Sequence, residues 1–553
     1  MHLLLAALPA LAAAVVLPTR GWNSWFAYDV HINETNIFAN AQGLVNTGLT
    51  AAGYTLVALD GGWQGGRHAN GTVYENATAF PSGLLDLSQR IKALGLTFGA
   101  YTDRGGSTCD GHVGSAGHEA QDAQFYAAIG ATYLKEDSCA ATQSHAGALA
   151  QFGLMQDALA ATGVAFTFSL CGWLSWYAGE ASAAGIGTSW RVGPDALSWP
   201  NVLMNMDAAA AAAPFVSAGR FVDVDEVMGP SRGRPINPAR TLTQLAFIAV
   251  VGSPLLLSFD LSQRAPSDAD VAPFLNPELL AVHWDAAPGG PSYARVAGGA
   301  LAPDRTPPLT RTPCDAPAAQ WAFAPLAADP ATGTLAAAAA PGQCLMAGAA
   351  WYGECNNAQG VWLGQCGAGP VCCASPASPG RACANQYFTL NASEGSLTTP
   401  YWPENNNAAG PYMTLGAPHP GGVFFEERQA ANGSVGVIAR QRWAWDAGAG
   451  VLRDGEGTCL GAAPRDSTNV WARRLEGGDV ALLFINTDAA ATRSVECSAQ
   501  CCAAAGLPLG QPLAVRDLVA RTDNGTVQCS AGSSLAFAVP PGGASVFVRL
   551  RAA

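Results

Sequence analysis

From residue 21 to residue 285, short apolar runs alternate with amphipathic or Ala-rich stretches. The apolar runs are 21–25, 55–60, 97–103, 131–137, 165–171, 189–191, 220–225 and 254–260. Their shortness and their aromatic and branched content predict strands. The stretches between them, such as 88–94, 118–129 and 146–161, have the spacing of helices. Eight strand–helix units in succession predict an α/β fold, a parallel (β/α)8 TIM barrel, assigned to 18–300.

After residue 303 the texture changes. Pro, Gly, Ala and Cys dominate, and helical periodicity is lost. Three segments look alike. Gln320-Trp321-Ala322-Phe323 leads to Gln343-Cys344-Leu345, Gln386-Tyr387-Phe388 to Gly395-Ser396-Leu397, and Gln441-Arg442-Trp443-Ala444-Trp445 to Gly457-Thr458-Cys459-Leu460. The Gln-and-aromatic opening of each resembles the repeats of ricin-type β-trefoil lectins. The resemblance implies a Cys-rich, lectin-like insert over 301–467, in which the aromatics equally well fill a β-core. From 468 to 553 apolar and polar residues alternate as in antiparallel strands, which predicts a C-terminal β-sandwich. The barrel is thus expected to be followed by an all-β region.

Composition narrows the function. The net charge of -13 argues against nucleic acid as a partner. Residues 1–17 are apolar and too short to span a bilayer, so they read as a signal peptide. Fifteen cysteines and six Asn-x-Ser/Thr sequons, at Asn33, Asn70, Asn76, Asn391, Asn432 and Asn524, point the same way. The expectation is a disulfide-bonded glycoprotein that is secreted, or vacuolar or lysosomal, with no membrane span. Fifteen is odd, and Cys171 is the candidate for a free thiol.

Acidic residues gather at the C-terminal ends of the predicted strands: Asp60, Asp103, Asp137, Asp195, Asp225 and Asp260. That end of a barrel carries the active site. For Asp103 and Asp260, capping of the next helix is the competing reading. Lys135 precedes Asp137 by two residues and Arg191 precedes Asp195 by four. Two carboxylates flanked by fixed cations suit cleavage of a glycosidic bond, where one attacks and the other holds a proton. Retention of configuration requires the two to stand about 5–5.5 Å apart. Glu136 should point away from Asp137 by strand alternation. The histidines show no ligand spacing, so neither a metal nor an organic cofactor is expected.

Gly21-Trp22-Asn23-Ser24-Trp25, Leu59-Asp60-x-x-Trp63, Tyr101-Thr102-Asp103, Thr108-Cys109, Tyr133-Leu134-Lys135-x-Asp137-x-Cys139, Ser189-Trp190-Arg191 and Pro254-Leu255-Leu256 follow one another along the chain. In this order they resemble glycoside hydrolase family 27, the melibiase or α-galactosidase family. The resemblance covers about 20–297 and resumes near 470. It implies a nucleophile at Asp137 and a general acid/base at Asp195. It implies that Trp25 packs on the sugar, and that Asp60, Tyr101, Lys135, Arg191 and Asp225 bind hydroxyls or hold the carboxylates. It also implies a Cys109–Cys139 disulfide. The implied substrates are oligosaccharides, glycolipids or glycoprotein glycans ending in α-galactose-like sugars, and a homodimer is compatible with it.

The departures bear on the sugar. The family's Leu-Asp-Asp-Cys-Trp is here Leu59-Asp60-Gly61-Gly62-Trp63, which removes a carboxylate that serves the C4 and C6 hydroxyls. A cysteine partner for position 62 is also missing, since Val30 stands there. Cys171-Gly172-Trp173-Leu174-Ser175 borders the C2 substituent in the family, and small Gly172 and Ser175 permit an acetamide. Glu226 stands where the family has Met and offers a further acceptor. The expected function is a retaining α-galactosidase. An α-N-acetylgalactosaminidase or a β-L-arabinopyranosidase on the same scaffold is the first alternative. A non-catalytic carbohydrate-binding protein is the second.

Overall fold

The computed structural model describes residues 16–142, 144–231, 236–287, 290–299, 301, 309–347, 361–367, 383–399, 412–415, 423–426, 441–462 and 467–553. Nearly all of the expected signal segment therefore lies outside the described residues. Eight strands, β1 (Arg20–Asn23), β2 (Leu56–Ala58), β3 (Thr97–Asp103), β4 (Tyr133–Asp137), β5 (Thr167–Leu170), β6 (Ser189–Arg191), β7 (Phe221–Asp223) and β8 (Leu255–Leu257), form one sheet. Its order is β8-β1-β2-β3-β4-β5-β6-β7, and every pairing is parallel. A parallel bridge from Val227, just after β7, to Leu257 in β8 closes the barrel. Each predicted strand is present.

Helices α1 (Glu34–Asn46), α2 (Leu84–Ala93), α3 (Glu119–Ala128), α4 (His145–Ala161), α5 (Ala181–Ile186), α6 (Trp199–Ala212), α7 (Pro238–Val251) and α8 (Pro277–His283) follow the strands in turn. Local sequence explains their starts. Ser198, Asn237 and Asn276 cap α6, α7 and α8 with their side chains, and a proline stands in the first turn of each. Asn33 caps α1 reciprocally with Asn36. A Gly-rich hairpin, Gln64–Arg67 with Val73–Glu75, was not expected from the pattern.

Ser292–Ala297 pairs with Thr468–Arg474, on the other side of the Cys-rich block. It belongs by pairing to a six-stranded antiparallel sheet with Val480–Asn486, Ala544–Ala552, Pro512–Asp517 and Thr522–Gln528. The chain therefore leaves and re-enters this sheet on adjacent strands, which makes 298–467 an insertion in the geometric sense. The sheet packs on α7, where Phe247 meets Trp471 edge-on at 4.8 Å. Barrel and sheet share one apolar core through Trp22, Trp190, Phe247, Trp471 and Phe547.

The inserted block has its own core, which includes Leu335, Leu345, Phe388, Leu397, Trp443 and Leu460. Its three look-alike segments interlock in a ring. Trp321 N–H donates to Gly450 O at 2.8 Å, and Trp443 N–H donates to Gly395 O at 2.6 Å. Phe388 pairs with Gly333. An aromatic at the start of each segment, Trp321, Phe388 or Trp443, thus pairs with a residue of another segment. Cys314–Cys459 and Cys344–Cys366 are bridged, and the C-terminal sheet region carries Cys497–Cys501 and Cys502–Cys529. The cysteines at 355, 372 and 373 lie outside the described residues.

Candidate active site

The C-terminal ends of β1 to β7 bring the acidic residues to one rim. On β4, Lys135 and Asp137 share the inner face, and Glu136 turns away into the barrel wall as alternation requires. Glu136 is fully buried with neither carboxyl oxygen hydrogen-bonded, and burial holds it well above the usual carboxylate range.

Lys135 Nζ donates to Asp60 Oδ2 at 2.7 Å and to Glu226 Oε1 at 3.4 Å. Asn23 Nδ2 donates to the same Asp60 oxygen at 3.0 Å, and Gly61 N–H donates to Asp60 Oδ1 at 3.0 Å. As a cation beside Asp137, Lys135 favours the ionised carboxyl. Its short contacts go to Asp60 and Glu226, and burial leaves Asp137 above the carboxylate range despite the nearby cation. Asp137 Oδ1 accepts from Ser138 N–H at 2.8 Å, and Oδ2 accepts from the Tyr101 hydroxyl at 3.0 Å.

Arg191 links the other half of the site. It pairs with Asp195 Oδ1 and with Asp225 Oδ1, each at 2.8 Å, so its planar fork fixes both. Asp195 also accepts from the Trp25 side chain. Burial tends to raise Asp195, but Arg191 and then Lys135 outweigh it and hold the carboxyl below its usual range. Asn201 Nδ2 donates to Asp195 O at 2.6 Å and Asn205 Nδ2 to Pro194 O at 2.9 Å, which anchors the loop after β6. Asp225 has a left-handed backbone, with φ of 78°. Its Oδ2 accepts from Ala196 N–H at 2.5 Å, and burial pushes its carboxyl up to about 7.

The two catalytic candidates differ in exposure. The Asp195 side chain is 38% exposed at the mouth, whereas Asp137 is 8% exposed on the floor. Cys109 and Cys139 form the implied disulfide. Asp103 caps no helix: it accepts from Cys139 N–H at 2.6 Å and Gly105 N–H at 2.7 Å, tying the loops after β3 and β4. Asp260 is exposed and accepts from Ser262 N–H at 2.8 Å, in the turn after β8. Cys171 is buried and free, 3.9 Å from Arg191 Nη1.

Two substitutions read differently in three dimensions. A Cβ on Gly172 would clash with the ring of Tyr177, which packs directly against this glycine. Ser175 opens a 3-10 turn, Ser175–Gly179, and Tyr177 reaches Gly172 from that turn. Gly62 has a φ of 98° and lies against the Val30 backbone, so bare contact replaces the missing brace. Asn23, Asp110 and Tyr177 were not singled out from sequence. Only Asn23, within the Gly-Trp-Asn-Ser-Trp motif, carried a signal that could have found it.

A closed parallel barrel with paired carboxylates and fixed cations on its C-terminal rim is the architecture of a two-carboxylate glycoside hydrolase. Residues 18–285 match the family model described as alpha galactosidase A, and 465–548 match the alpha galactosidase C-terminal beta sandwich domain. The probable alpha-galactosidase of Dictyostelium discoideum is 39% identical over 262 residues, 46% of this chain and 66% of that protein. Alpha-galactosidase A of Cellvibrio japonicus is 32% identical over 280 residues, 48% of this chain and 67% of that one. The chain thus spans about two thirds of the length of these relatives. The crystal structure of alpha-galactosidase I from Mortierella vinacea superposes with a TM-score of 0.60, covering 98% of this chain and 99% of that one. At 17% identity that likeness shows the fold alone. The chain belongs to the α-galactosidase, or melibiase, family, glycoside hydrolase family 27.

Proposed function

We propose that the protein is a retaining glycoside hydrolase that releases terminal α-D-galactosyl residues by double displacement. The observation that carries this reading is the division between a buried Asp137 and a half-exposed, Arg191-held Asp195. The nucleophile belongs on the floor, beneath the sugar. The acid/base belongs at the mouth, where the aglycone leaves and water enters.

In the first step a carboxylate oxygen of Asp137 attacks the anomeric carbon and the glycosidic C–O bond breaks. The Asp195 proton passes to the leaving oxygen. In the second step Asp195 takes a proton from water, and the water oxygen displaces Asp137 from the anomeric carbon. In this structure Asp195 lies below and Asp137 above the usual range, the reverse of what the first step needs. The two titrate as a pair. A bound sugar removes far more hydration from the exposed Asp195 than from Asp137. Desolvation then raises Asp195, and the pair's proton moves to the leaving group's side.

The Tyr177 ring packed against Gly172 favours galactose over N-acetylgalactosamine. The interlocked ring of three segments supports a trefoil-like reading of 301–467. The disulfides support an oxidising compartment, and no helix among the described residues is long and apolar enough to cross a membrane. Purified protein should hydrolyse an aryl α-galactoside and release α-galactose first, as followed by proton NMR. Release of β-galactose first would refute retention. Inactivity on aryl α-galactoside, α-N-acetylgalactosaminide and β-L-arabinopyranoside alike would leave a binding protein as the better reading.

A further inference from the structure

Gly61 removes a carboxylate from the sugar pocket, yet a carboxylate occupies the space beside it. A Cβ on Gly61 would stand 3.2 Å from Asp110 Oδ2, 3.6 Å from Asp110 Cγ and 3.7 Å from Trp25 Cζ3. Trp25 bonds Asp195 through its side chain, and Asp60 precedes Gly61 on the rim. The direction a side chain at 61 would take is therefore into the pocket, and Asp110 meets it there.

We propose that Asp110 is a substrate-binding residue, whose carboxylate takes over from the one missing at Gly61 and accepts hydrogen bonds from the C4 and C6 side of the sugar. The proposal rests on the galactosidase reading above. Asp110 comes from the loop after β3, directly after the disulfide-bonded Cys109. A tight turn pins it: Thr108 N–H donates to His112 O at 2.8 Å, and Gly111 N–H donates to Thr108 O at 2.9 Å. The Thr108 hydroxyl donates to Asp110 Oδ1. The side chain is only 8% exposed.

Oδ2 is the oxygen left over. It is buried and makes no hydrogen bond. His112 Nδ1 lies 2.9 Å away, off the direction of a hydrogen bond, so its acceptor capacity remains. An unsatisfied carboxylate oxygen at such a depth is costly unless a donor arrives. Asp60 next door has no comparable reserve. Its Oδ2 already accepts from Lys135 and Asn23, and its Oδ1 from Gly61 N–H.

Relocating the carboxylate tests this. Asp110→Asn keeps the shape and the bond from Thr108. It should lower kcat/KM for an aryl α-galactoside by roughly 10- to 100-fold, carried mainly by KM, with Tm unchanged. Gly61→Asp alone should also lose activity, because two carboxylates crowd one space. Gly61 has no left-handed φ to forbid the change. Gly61→Asp combined with Asp110→Ala should recover much of the loss of Asp110→Ala alone. An unchanged KM in Asp110→Asn overturns the proposal. So does a loss that tracks a fall in Tm and is not recovered in the double variant, since that is structural support only. Inactive wild-type protein would instead defeat the galactosidase reading itself.

Discussion

Lys135 Nζ lies 2.7 Å from Asp60 Oδ2, an ion pair between β4 and the end of β2 with both side chains less than a tenth exposed. Breaking such a pair leaves a buried charge without compensation. Lys135→Met should therefore destabilise the fold at neutral pH by roughly 3–5 kcal/mol, because Asp60 loses its buried cation. Denaturant unfolding of both proteins at pH 7 measures this, and a loss below about 1 kcal/mol would contradict it.

Asp137→Asn preserves volume and the bond from Ser138 N–H but removes the nucleophile. Turnover should fall by roughly 10^4-fold or more, with Tm within a few degrees of wild type. Steady-state rates on an aryl α-galactoside decide it, and residual turnover near wild type would exclude Asp137 from the bond-forming role.

The exposure of Asp195 makes its proton affinity sensitive to what covers it. The general acid must be protonated, so its pKa appears on the alkaline limb of the pH profile. The kcat/KM profile reports free enzyme and the kcat profile reports the complex. The alkaline limb of kcat should lie at higher pH than that of kcat/KM. Coincident or reversed limbs would show that the sugar does not move the proton toward Asp195.

Gly172 and Tyr177 show why a small residue is not the same as open space. Gly172→Ala drives a methyl into the Tyr177 ring and should cost about 1–3 kcal/mol as overpacking. Wild-type protein should also cleave aryl α-galactoside far faster than the N-acetylgalactosaminide. Comparable kcat/KM values on the two sugars would mean that the acetamide finds room elsewhere.

What could be read from sequence was what local chemistry dictates. The eight apolar runs, six of them ending at or just before an Asp, became eight parallel strands, because strand length and burial leave a clear periodicity. Asp137, Asp195, Lys135 and Arg191 were legible because each sits on or just after such a strand. The Gln64–Arg67 hairpin was hidden, since Gly-rich strands carry little pattern. Ser292–Ala297 read as the end of the barrel, although its partner lies beyond the insertion. Asp110 and Tyr177 were invisible for the same reason: each matters through contact with a glycine distant in sequence, and a missing side chain leaves no mark of what fills its place.

Glu226 connects the pocket to the stability of the fold. Burial is the largest influence on it and outweighs the attraction of Lys135, so its carboxyl is pushed up to about 8 from an ordinary 4.5. Its Oε2 is buried without a hydrogen bond. The folded state therefore binds a proton more tightly than the unfolded chain does. Stability from this group is complete below about pH 4.5 and is lost as pH rises through about 8. Asp225 and Asp103, each raised to about 7, act in the same direction. Wild-type Tm should accordingly be higher at pH 5 than at pH 8. Glu226→Gln mimics the protonated form, so it should leave Tm at pH 5 nearly unchanged and raise it at pH 8. The difference between the two pH values should narrow without vanishing, because Asp225 and Asp103 still contribute. Thermal unfolding of both proteins at the two pH values measures the effect. A variant whose Tm falls equally at pH 5 and pH 8 would show that Glu226 serves the fold as an ionised partner of Lys135.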